Sequence, residues 1–196
     1  YIKEKKLNAD IYVTTASRDG MRYVEEVAKK GEHVRFYSCG GDGTLYEIVN
    51  GCYKYPNCEV ANIPLGSGND FCRLGRNTNI DDHVNGVPVK LDLIETDGYV
   101  AINECAMGID SEVCARQAKY KQLPLVNGEL AYTLSALRCV VFSKINNKFK
   151  ITIDHDKVYE DDFLFCYIGN SRWYGGGYMA APGAMPNDGL IDCVMV

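Results

Sequence analysis

Tyr37-Ser-Cys-Gly-Gly-Asp-Gly-Thr-Leu-Tyr-Glu-Ile-Val-Asn-Gly51 is the stretch from which the fold of this chain can be predicted. The residues from His33 to Cys39 alternate between apolar and polar, which is typical of a β-strand. After Thr44 the apolar residues recur at the spacing of one helix face, at Leu45, Ile48, Val49 and Cys52. The stretch therefore predicts a strand, a glycine-rich turn, and a helix that begins near Thr44.

Three glycines and one aspartate, Asp42, make up the predicted turn. Glycine lets the backbone adopt positive φ angles and come close to a ligand. A helix that begins after the turn directs its free N–H groups and positive dipole end into it, which favours a phosphate. A carboxylate beside phosphates needs a divalent cation or the proton of an attacking hydroxyl between them, and both belong to phosphoryl transfer. The alternative is a tight turn that needs glycine for packing alone.

A second loop of the same kind is Gly66-Ser-Gly-Asn-Asp70, which follows a short apolar run. Loops at the carboxyl ends of neighbouring parallel strands can line one crevice. Two loops that each carry small residues and an aspartate therefore favour a shared binding site over packing alone.

The first part of the chain is predicted to form a parallel sheet. A helix that ends at Gly31 is expected before the quoted stretch, with Ser17 or Asp19 as its cap. Strands are expected at Asp10–Thr15, His33–Cys39 and Val60–Ile63. Strands that alternate with helices in this way imply a parallel α/β domain, which we place at residues 1–86.

The rest of the chain, residues 87–196, is predicted to be a mainly antiparallel domain with a helical insert. A hairpin turn is expected at Thr96-Asp-Gly98. Strands are expected at Val87–Ile94, Tyr99–Asn103, Lys148–Asp154 and Phe163–Ile168. Helices are expected at Glu112–Lys121 and Asn127–Ser143. The predicted fold class is therefore α/β, with two domains.

Composition excludes several classes of function. The net charge of −5 and the pI near 5.2 argue against nucleic acid as the main partner. The nine cysteines are scattered singly with no Cys-x-x-Cys pair, which is typical of reduced thiols in a cytoplasmic protein. No apolar run approaches the roughly 18 residues of a transmembrane helix. Any contact with a membrane is therefore expected at its surface.

Three blocks of sequence, in this order, resemble the catalytic domain of diacylglycerol kinases and their relatives, the sphingosine kinases and bacterial soluble lipid kinases. The blocks are Gly40–Gly51, Pro64–Asp70, and Gly169–Pro182 together with Asn187–Asp192. The resemblance implies a lipid kinase that binds ATP and Mg²⁺ between its domains and transfers the γ-phosphoryl group to a lipid hydroxyl. It also implies that the second domain is β-sandwich-like.

The resemblance assigns two expected catalytic carboxylates, Asp42 and Asp70. Asp42 would organise Mg-ATP or take the proton from the lipid hydroxyl, and the sequence does not separate these roles. Asp70 could also cap a helix that opens at Phe71. The nucleotide is expected to contact the two glycine-rich turns, at Gly40, Gly41, Gly43, Thr44, Gly66, Ser67, Gly68 and Asn69.

A second magnesium ion, with a structural role, is implied at the Asn187-Asp-Gly turn. Its expected ligands are the carboxylate of Asp188 and the backbone carbonyls of Met185 and Leu190. A plain turn between strands is the alternative. Asp92 and Asp110 are expected either in a water network around magnesium or as surface carboxylates.

The family pattern normally extends beyond both ends of this chain. It begins with an apolar strand and an Asn-Pro-x-Ser/Gly turn, and it continues to an Asp-Gly-Glu turn whose acid is a candidate general base. The resemblance therefore implies a fragment, and it leaves open whether this fragment is active. The lipid used, the general base and the formation of a homodimer also stay open.

The helical insert carries a local excess of positive charge. Between Val113 and Lys150 there are seven basic residues and one acidic residue, Glu129. The basic residues are Arg116, Lys119, Lys121, Arg138, Lys144, Lys148 and Lys150. They fit either a surface for anionic lipid headgroups or a solvated pair of helices.

Two other functions stay as alternatives. NAD kinase shares the Gly-Gly-Asp-Gly-Thr motif, and Asn103-Glu104 resembles its Asn-Glu pair, but its Thr-Pro-Thr-Gly-Ser stretch is absent. The other alternative is a non-catalytic module that binds nucleotide or lipid. The intact carboxylates of Asp42, Asp70 and Asp188 favour an enzyme over such a module.

Overall fold

The computed structural model describes residues 1–75, 79–120, 134–135, 138–139 and 147–196, with the backbone alone at residues 110 and 117–119. The N-terminal part contains a two-stranded parallel sheet and four helices. The strands are β1 (Val34–Gly40) and β2 (Cys58–Pro64). The helices are α1 (Ile2–Lys5), α2 (Asp19–Ala28), α3 (Asp42–Cys52) and α4 (Ile80–Asn85), with a 3₁₀ turn at Phe71–Leu74.

The C-terminal part is antiparallel wherever its described strands pair. It begins with β3 (Ile94–Thr96), β4 (Tyr99–Ala101), β5 (Glu104–Gly108) and helix α5 (Ile109–Tyr120). It continues with β6 (Asn147–Ile153), β7 (Lys157–Phe163), β8 (Phe165–Gly169), β9 (Trp173–Tyr174), β10 (Tyr178–Met179) and β11 (Asp192–Met195). The central sheet has the order β11-β8-β5, and the other strands form two-stranded pairs. The predicted α/β fold with a mainly antiparallel second part is confirmed.

The parallel sheet determines where the crevice lies. Strands β1 and β2 run in register from Val34 opposite Cys58 to Gly40 opposite Pro64. Both strands therefore end at the same edge of the sheet, and the loops that follow them leave side by side.

Helix α3 packs against both parts of the protein. Its residue Ile48 lies in a buried cluster with Val24 of α2 and Phe36 of β1. On another side, Leu45 and Val49 enclose Val100 of strand β4. The apolar spacing that predicted one helix face therefore serves two cores.

The side chain of Asn50 also joins α3 to the second part. Its Nδ2 donates to the carbonyl of Val100 over 2.8 Å, and the Val100 N–H donates to Asn50 Oδ1 over 2.8 Å. The amide of Asn50 thus pairs with the backbone of β4 as a neighbouring strand would.

The prediction of a strand at Asp10–Thr15 was wrong. The side chains of Ile11 and Val13 are 76% and 75% exposed, and no described strand pairs with this segment. Alternation alone does not make a strand, because a strand also needs a partner for its backbone groups. Here the carboxylate of Asp19 instead accepts the Thr15 N–H and the Tyr12 hydroxyl.

The expected cap of α2 was also wrong. Neither Ser17 nor Asp19 occupies the cap position, which is held by Arg18 at φ 66° without a side-chain cap. Instead Glu47 of α3 accepts the N–H groups of Arg18 and Gly20 over 2.8 and 3.1 Å. A cap supplied from another helix is not visible in local sequence.

For the second part, the predicted antiparallel strands and hairpin occur, but the predicted strand boundaries are less accurate. The hairpin turn is confirmed, with positive φ at both Asp97 and Gly98. Strand β3 begins only at Ile94, and Val87 and Val89 are exposed. Strands β5 and β7 were missed, because β5 has no β-branched residue and β7 is mostly exposed on both faces. The predicted helix Asn127–Ser143 lies largely outside the described residues.

The contact between α2 and α3 depends on Gly51. A Cβ atom there would lie 2.6 Å from the carbonyl oxygen of Met21 and 2.9 Å from Val24, whereas a Cβ on Gly43 of the same helix would meet nothing within 4 Å. We predict that Gly51→Ala lowers the free energy of unfolding by about 1–3 kcal/mol through overpacking.

The matched control is Gly43→Ala, which should leave stability unchanged or raise it by up to about 1 kcal/mol, because alanine favours helix. The measurement is urea unfolding followed by the fluorescence of the single tryptophan, Trp173. Equal effects of the two substitutions would contradict the packing assigned to α2 and α3.

Candidate active site

The crevice begins where β1 and β2 end. The Leu65 N–H donates to the carbonyl of Gly40 over 2.8 Å, and the two turns then touch at Gly41 and Gly66. A Cβ atom on Gly66 would lie 2.4 Å from the Cα of Gly41. A Cβ on Gly40 would lie 2.3 Å from Thr44 Oγ1. Packing therefore disfavours a side chain at Gly40 and Gly66, and at Gly41 a Cβ atom would make a tight contact of 3.1 Å with the Gly66 Cα, whether or not these residues also contact a nucleotide.

Helix α3 begins in the turn, two residues earlier than predicted. Asp42 is its first residue, and Gly41 precedes it without a side-chain cap. The N–H groups of Asp42 and Gly43 donate to no acceptor in the described residues, whereas the Thr44 N–H bonds to the Gly41 carbonyl. Gly43 is exposed. The free amides and the open side of the helix end can receive an anionic group.

The carboxylate of Asp42 lies half-buried at this helix end. Its Oδ1 is shielded from solvent and has no hydrogen-bond partner in the described residues. Burial raises the pKa of Asp42 above its ordinary value, and the charge of Asp70 raises it further. The backbone N–H groups of Asn69, Phe71 and Asp70 offset part of this. An unpaired, buried carboxylate oxygen is suited to a cation or to the proton of a hydroxyl group.

The second loop is closed by its own asparagine. Asn69 has a φ of 52°, and its Oδ1 accepts the Gly66 N–H over 3.0 Å. Gly68 lies next to the candidate carboxylate, because a Cβ there would be 3.0 Å from Asp42 Oδ2. Ser67 is exposed at the tip of the loop. The structure thus brings the two predicted loops together around Asp42.

Asp70 is buried, and both of its carboxylate oxygens have protein partners. Oδ2 accepts the Gly176 N–H over 2.7 Å, and Oδ1 accepts Nε–H of Arg73 over 3.2 Å. Asp70 occupies the N-cap position of the 3₁₀ turn at Phe71–Leu74, as the capping alternative expected, but its side chain forms no cap hydrogen bond there. Asp70 instead reaches across to the second part of the chain.

Arg73 is a site residue that was not predicted from the sequence. It bonds to Asp70 three residues before it and donates through Nη2 to the carbonyls of Gly68 and Gly176 over 3.3 and 3.1 Å. The Asp-x-x-Arg spacing could have indicated the ion pair. The contact to Gly176 could not be read from sequence, because 103 residues separate the partners.

The predicted structural magnesium turn and Asp92 lie together. Asp92 Oδ2 accepts the Gly189 N–H over 2.7 Å, and the Asp92 N–H donates to the carbonyl of Pro186 over 2.7 Å. Asp188 Oδ1 accepts the Leu190 N–H over 3.0 Å. Met185 and Leu190 are exposed.

No cluster of three or more His, Cys, Asp or Glu side chains suited to a metal occurs in the described residues. This absence does not bear on the expected structural magnesium site, because that site would use only one carboxylate together with backbone carbonyls. The structural magnesium site therefore stays a prediction. The side chain of Asp110 lies outside the described residues.

The basic residues of the insert are only partly described. Arg116 is paired with Glu112, and Lys148 lies 3.8 Å from Glu160. The side chains of Lys119, Lys121 and Lys144 lie outside the described residues. Among the helices described, none has the length and apolar character needed to cross a bilayer.

The comparisons with known proteins agree with this geometry. A model of the diacylglycerol kinase catalytic domain matches residues 1–91, and a model of the "YegS C-terminal NAD kinase beta sandwich-like domain" matches residues 103–196. A crystal structure of a diacylglycerol kinase from Bacillus anthracis superposes with a TM-score of 0.67 at 29% identity, over 93% of this chain and 60% of that one. The β-sandwich-like character expected of the second part is thereby confirmed.

Curated relatives give the same result. A protein from Pseudomonas aeruginosa named "Probable lipid kinase YegS-like" is 30% identical over 93% of this chain and 60% of its own length. A protein of the same name from Shewanella frigidimarina is 29% identical over 100% of this chain and 64% of its own. The chain thus spans less than two thirds of the length of these relatives. Two adjoining family models, the curated relatives and the shared fold agree, and the chain belongs to the diacylglycerol kinase catalytic-domain family.

Proposed function

We propose that this chain is the catalytic region of a lipid kinase that transfers the γ-phosphoryl group of ATP to a lipid hydroxyl with the help of Mg²⁺. The observation that carries the proposal is the carboxylate of Asp42 at the open end of helix α3, whose buried Oδ1 has no hydrogen-bond partner among the residues that the structure describes. Family membership and the names of the relatives support the same reaction.

The nucleotide phosphates would lie against the start of α3. The free N–H groups of Asp42 and Gly43, together with the helix dipole, favour negative charge there. Gly43 and Gly68 leave room for close approach, and Ser67 is exposed beside them. Gly40, Gly41, Gly66, Thr44 and Asn69 would act mainly by holding the two turns in place.

Asp42 fits either of the roles expected for it. Its unpaired Oδ1 can take part in coordinating magnesium, which when bound supplies charge neutralisation at the phosphates. The same oxygen can instead accept the proton of the attacking lipid hydroxyl, and a carboxylate with a raised pKa is the stronger base. Asp70 would contribute to the chemistry through its charge beside Asp42 and through its bond to Gly176.

A second magnesium ion is proposed at the turn of Asp188, with the carbonyls of Met185 and Leu190 as its other ligands. Oxygen donors of this kind suit a hard cation. Asp92 would support that turn through its bond to Gly189 rather than bind the ion itself.

We propose that the protein is cytoplasmic and meets its lipid at the membrane surface. A kinase that acts on a lipid needs such a contact to reach its substrate. The exposed cations of β6, Lys148 and Lys150, lie on the part of the chain predicted to carry this surface.

NAD kinase stays as a second candidate function, because the second family model is named after that enzyme. The Asn-Glu pair that resembles NAD kinase lies at Asn103-Glu104, where Asn103 Nδ2 donates to Glu104 over 3.3 Å and to the carbonyl of Trp173 over 3.0 Å. Asn103 is therefore already engaged in holding β9.

Phosphoryl transfer is the first test of the proposal. We expect the complete gene product, given γ-labelled ATP and Mg²⁺ with diacylglycerol micelles, sphingoid-base micelles and NAD in parallel, to label a lipid. Asp42→Asn should lower the rate by about a hundredfold or more, because it removes the carboxylate at the reacting centre.

The outcomes of this assay separate the candidates. Label in NAD would assign the chain to the NAD kinase reaction. ATP binding without transfer to any acceptor would favour a non-catalytic module. Transfer that is unchanged in Asp42→Asn would contradict the role given to Asp42.

The raised pKa of Asp42 also predicts a pH-dependent cost to stability. Between the ordinary aspartate pKa and the raised value, the folded chain holds a proton that the unfolded chain has lost, so stability falls as pH rises through this window. Asp42→Asn cannot ionise. We therefore predict that the difference in Tm, Asp42→Asn minus native protein, becomes more positive as the pH increases from about 4 to about 8.

Thermal unfolding across this pH range is the measurement. Asp10→Asn, which removes an exposed carboxylate of equal charge, is the control. A Tm difference for Asp42→Asn that stays flat or shrinks with rising pH would show that ionised Asp42 is not costly in the fold.

A further inference from the structure

The guanidinium of Arg73 donates to three acceptors on two segments of the chain, loop 66–70 and the Gly175–Gly177 turn. Nε–H donates to Asp70 Oδ1 over 3.2 Å, and Nη2 donates to the carbonyls of Gly68 and Gly176. Asp70 in turn accepts the Gly176 N–H over 2.7 Å. The backbone of Gly176 is therefore held on both sides, its N–H by Asp70 and its carbonyl by Arg73.

The segment held in this way is the loop of the β9–β10 hairpin, in which Tyr174 pairs with Tyr178 and the Gly177 N–H donates to the Tyr174 carbonyl over 3.1 Å. These bonds hold the hairpin together, whereas the bonds of Asp70 and Arg73 hold its loop against loop 66–70. Gly175, Gly176 and Gly177 have φ angles of 62°, 87° and 129°, and glycine loses more backbone entropy on ordering than any other residue. A Cβ atom on Gly176 would meet no atom of the described residues within 4 Å. At Gly177 the nearest group is the guanidinium of Arg73, 3.3 Å from the Cβ position.

The turn lies close to the candidate catalytic carboxylate. The Cβ position of Gly68 is 3.0 Å from Asp42 Oδ2 and 3.9 Å from the Cα of Gly176. A single glycine of loop 66–70 therefore separates the turn of the second domain from Asp42. Movement of this turn would open or close the crevice beside the reacting centre.

We propose that Arg73 is a positioning residue which, with Asp70, fixes the Gly175–Gly177 turn against loop 66–70 and so completes the phosphate-binding crevice. This inference rests on the proposed function, because it concerns the same crevice.

The chemistry of the side chain agrees with a geometric role. The planar guanidinium donates to several acceptors in fixed directions, which the ammonium of lysine cannot do. The Arg73 side chain is 40% exposed, and ion pairs of such residues contribute little to stability. Its main effect is therefore expected on the site and not on the free energy of unfolding.

A matched control exists in α2. Arg22 pairs with Asp19 at the same three-residue spacing, and Asp19 has the same side-chain exposure as Asp70, 8%. Within the described part of the chain, neither Arg22 nor Asp19 bonds to loop 66–70 or to the Gly175–Gly177 turn. Arg22→Gln therefore reports what the loss of such a pair does to stability alone.

The test is binding of Mg-ATP and Mg-AMP to the complete gene product, measured by titration calorimetry. We expect Arg73→Gln to weaken ATP binding roughly tenfold, which corresponds to about 1.4 kcal/mol, and to weaken AMP binding less, because the turn borders the phosphates. Arg73→Lys should restore ATP binding only in part, since it keeps the charge and loses the fork of donors. Arg22→Gln should leave both affinities unchanged.

Hydrogen exchange provides a measurement that does not depend on nucleotide binding. The amides of residues 175–177 should exchange faster in Arg73→Gln than in Arg22→Gln. Unchanged exchange, or native ATP affinity in Arg73→Gln, would overturn the role of Arg73 while leaving the proposed kinase intact. Failure of the native protein to bind ATP at all would overturn the proposed function and this inference together.

Discussion

The backbone contact between Gly41 and Gly66 is the constraint on which the site depends. The two parallel strands deliver their loops to one edge of the sheet, and the absence of side chains lets the loops touch. This contact places Asp42 beside the amides of residues 69–71, and it places Asp70 close enough for its charge to act on Asp42. A side chain at either glycine would separate the loops and remove the carboxylate from its partners.

Helix α3 connects these two loops to the rest of the protein. Its first residue, Asp42, carries the candidate catalytic carboxylate. More than one turn later, Glu47 accepts two backbone N–H groups at the start of α2. Asn50 and the apolar face of the helix then bind strand β4 of the second domain. One helix therefore connects the candidate carboxylate with both parts of the protein. The unfavourable ionisation of Asp42 is consistent with this support, since strained or costly groups persist where the surroundings hold them.

The sequence predicted the features that depend on local pattern. The strand, turn and helix around Asp42, the second loop and the hairpin at Asp97-Gly98 follow from alternation, helical spacing and glycine position. It failed where the cause lies elsewhere in the chain. Asp10–Thr15 alternates like a strand but has no pairing partner in the described residues, and the cap of α2 comes from Glu47. The role of Arg73 could not be predicted because it depends on the hydrogen bond to Gly176, which lies in the C-terminal part of the chain. The motifs that contain the site residues could therefore be predicted from the sequence. Which of these residues serve packing and which are free to contact a ligand could not.

A crystal structure of the complete gene product with Mg²⁺ and a non-hydrolysable ATP analogue tests the central claim most directly. The account predicts that the phosphates lie against the N–H groups of Asp42 and Gly43, with the Asp42 carboxylate beside them and with the Gly175–Gly177 turn bordering the same phosphates. Phosphates bound away from the start of α3, with Asp42 Oδ1 still unpaired, would contradict it.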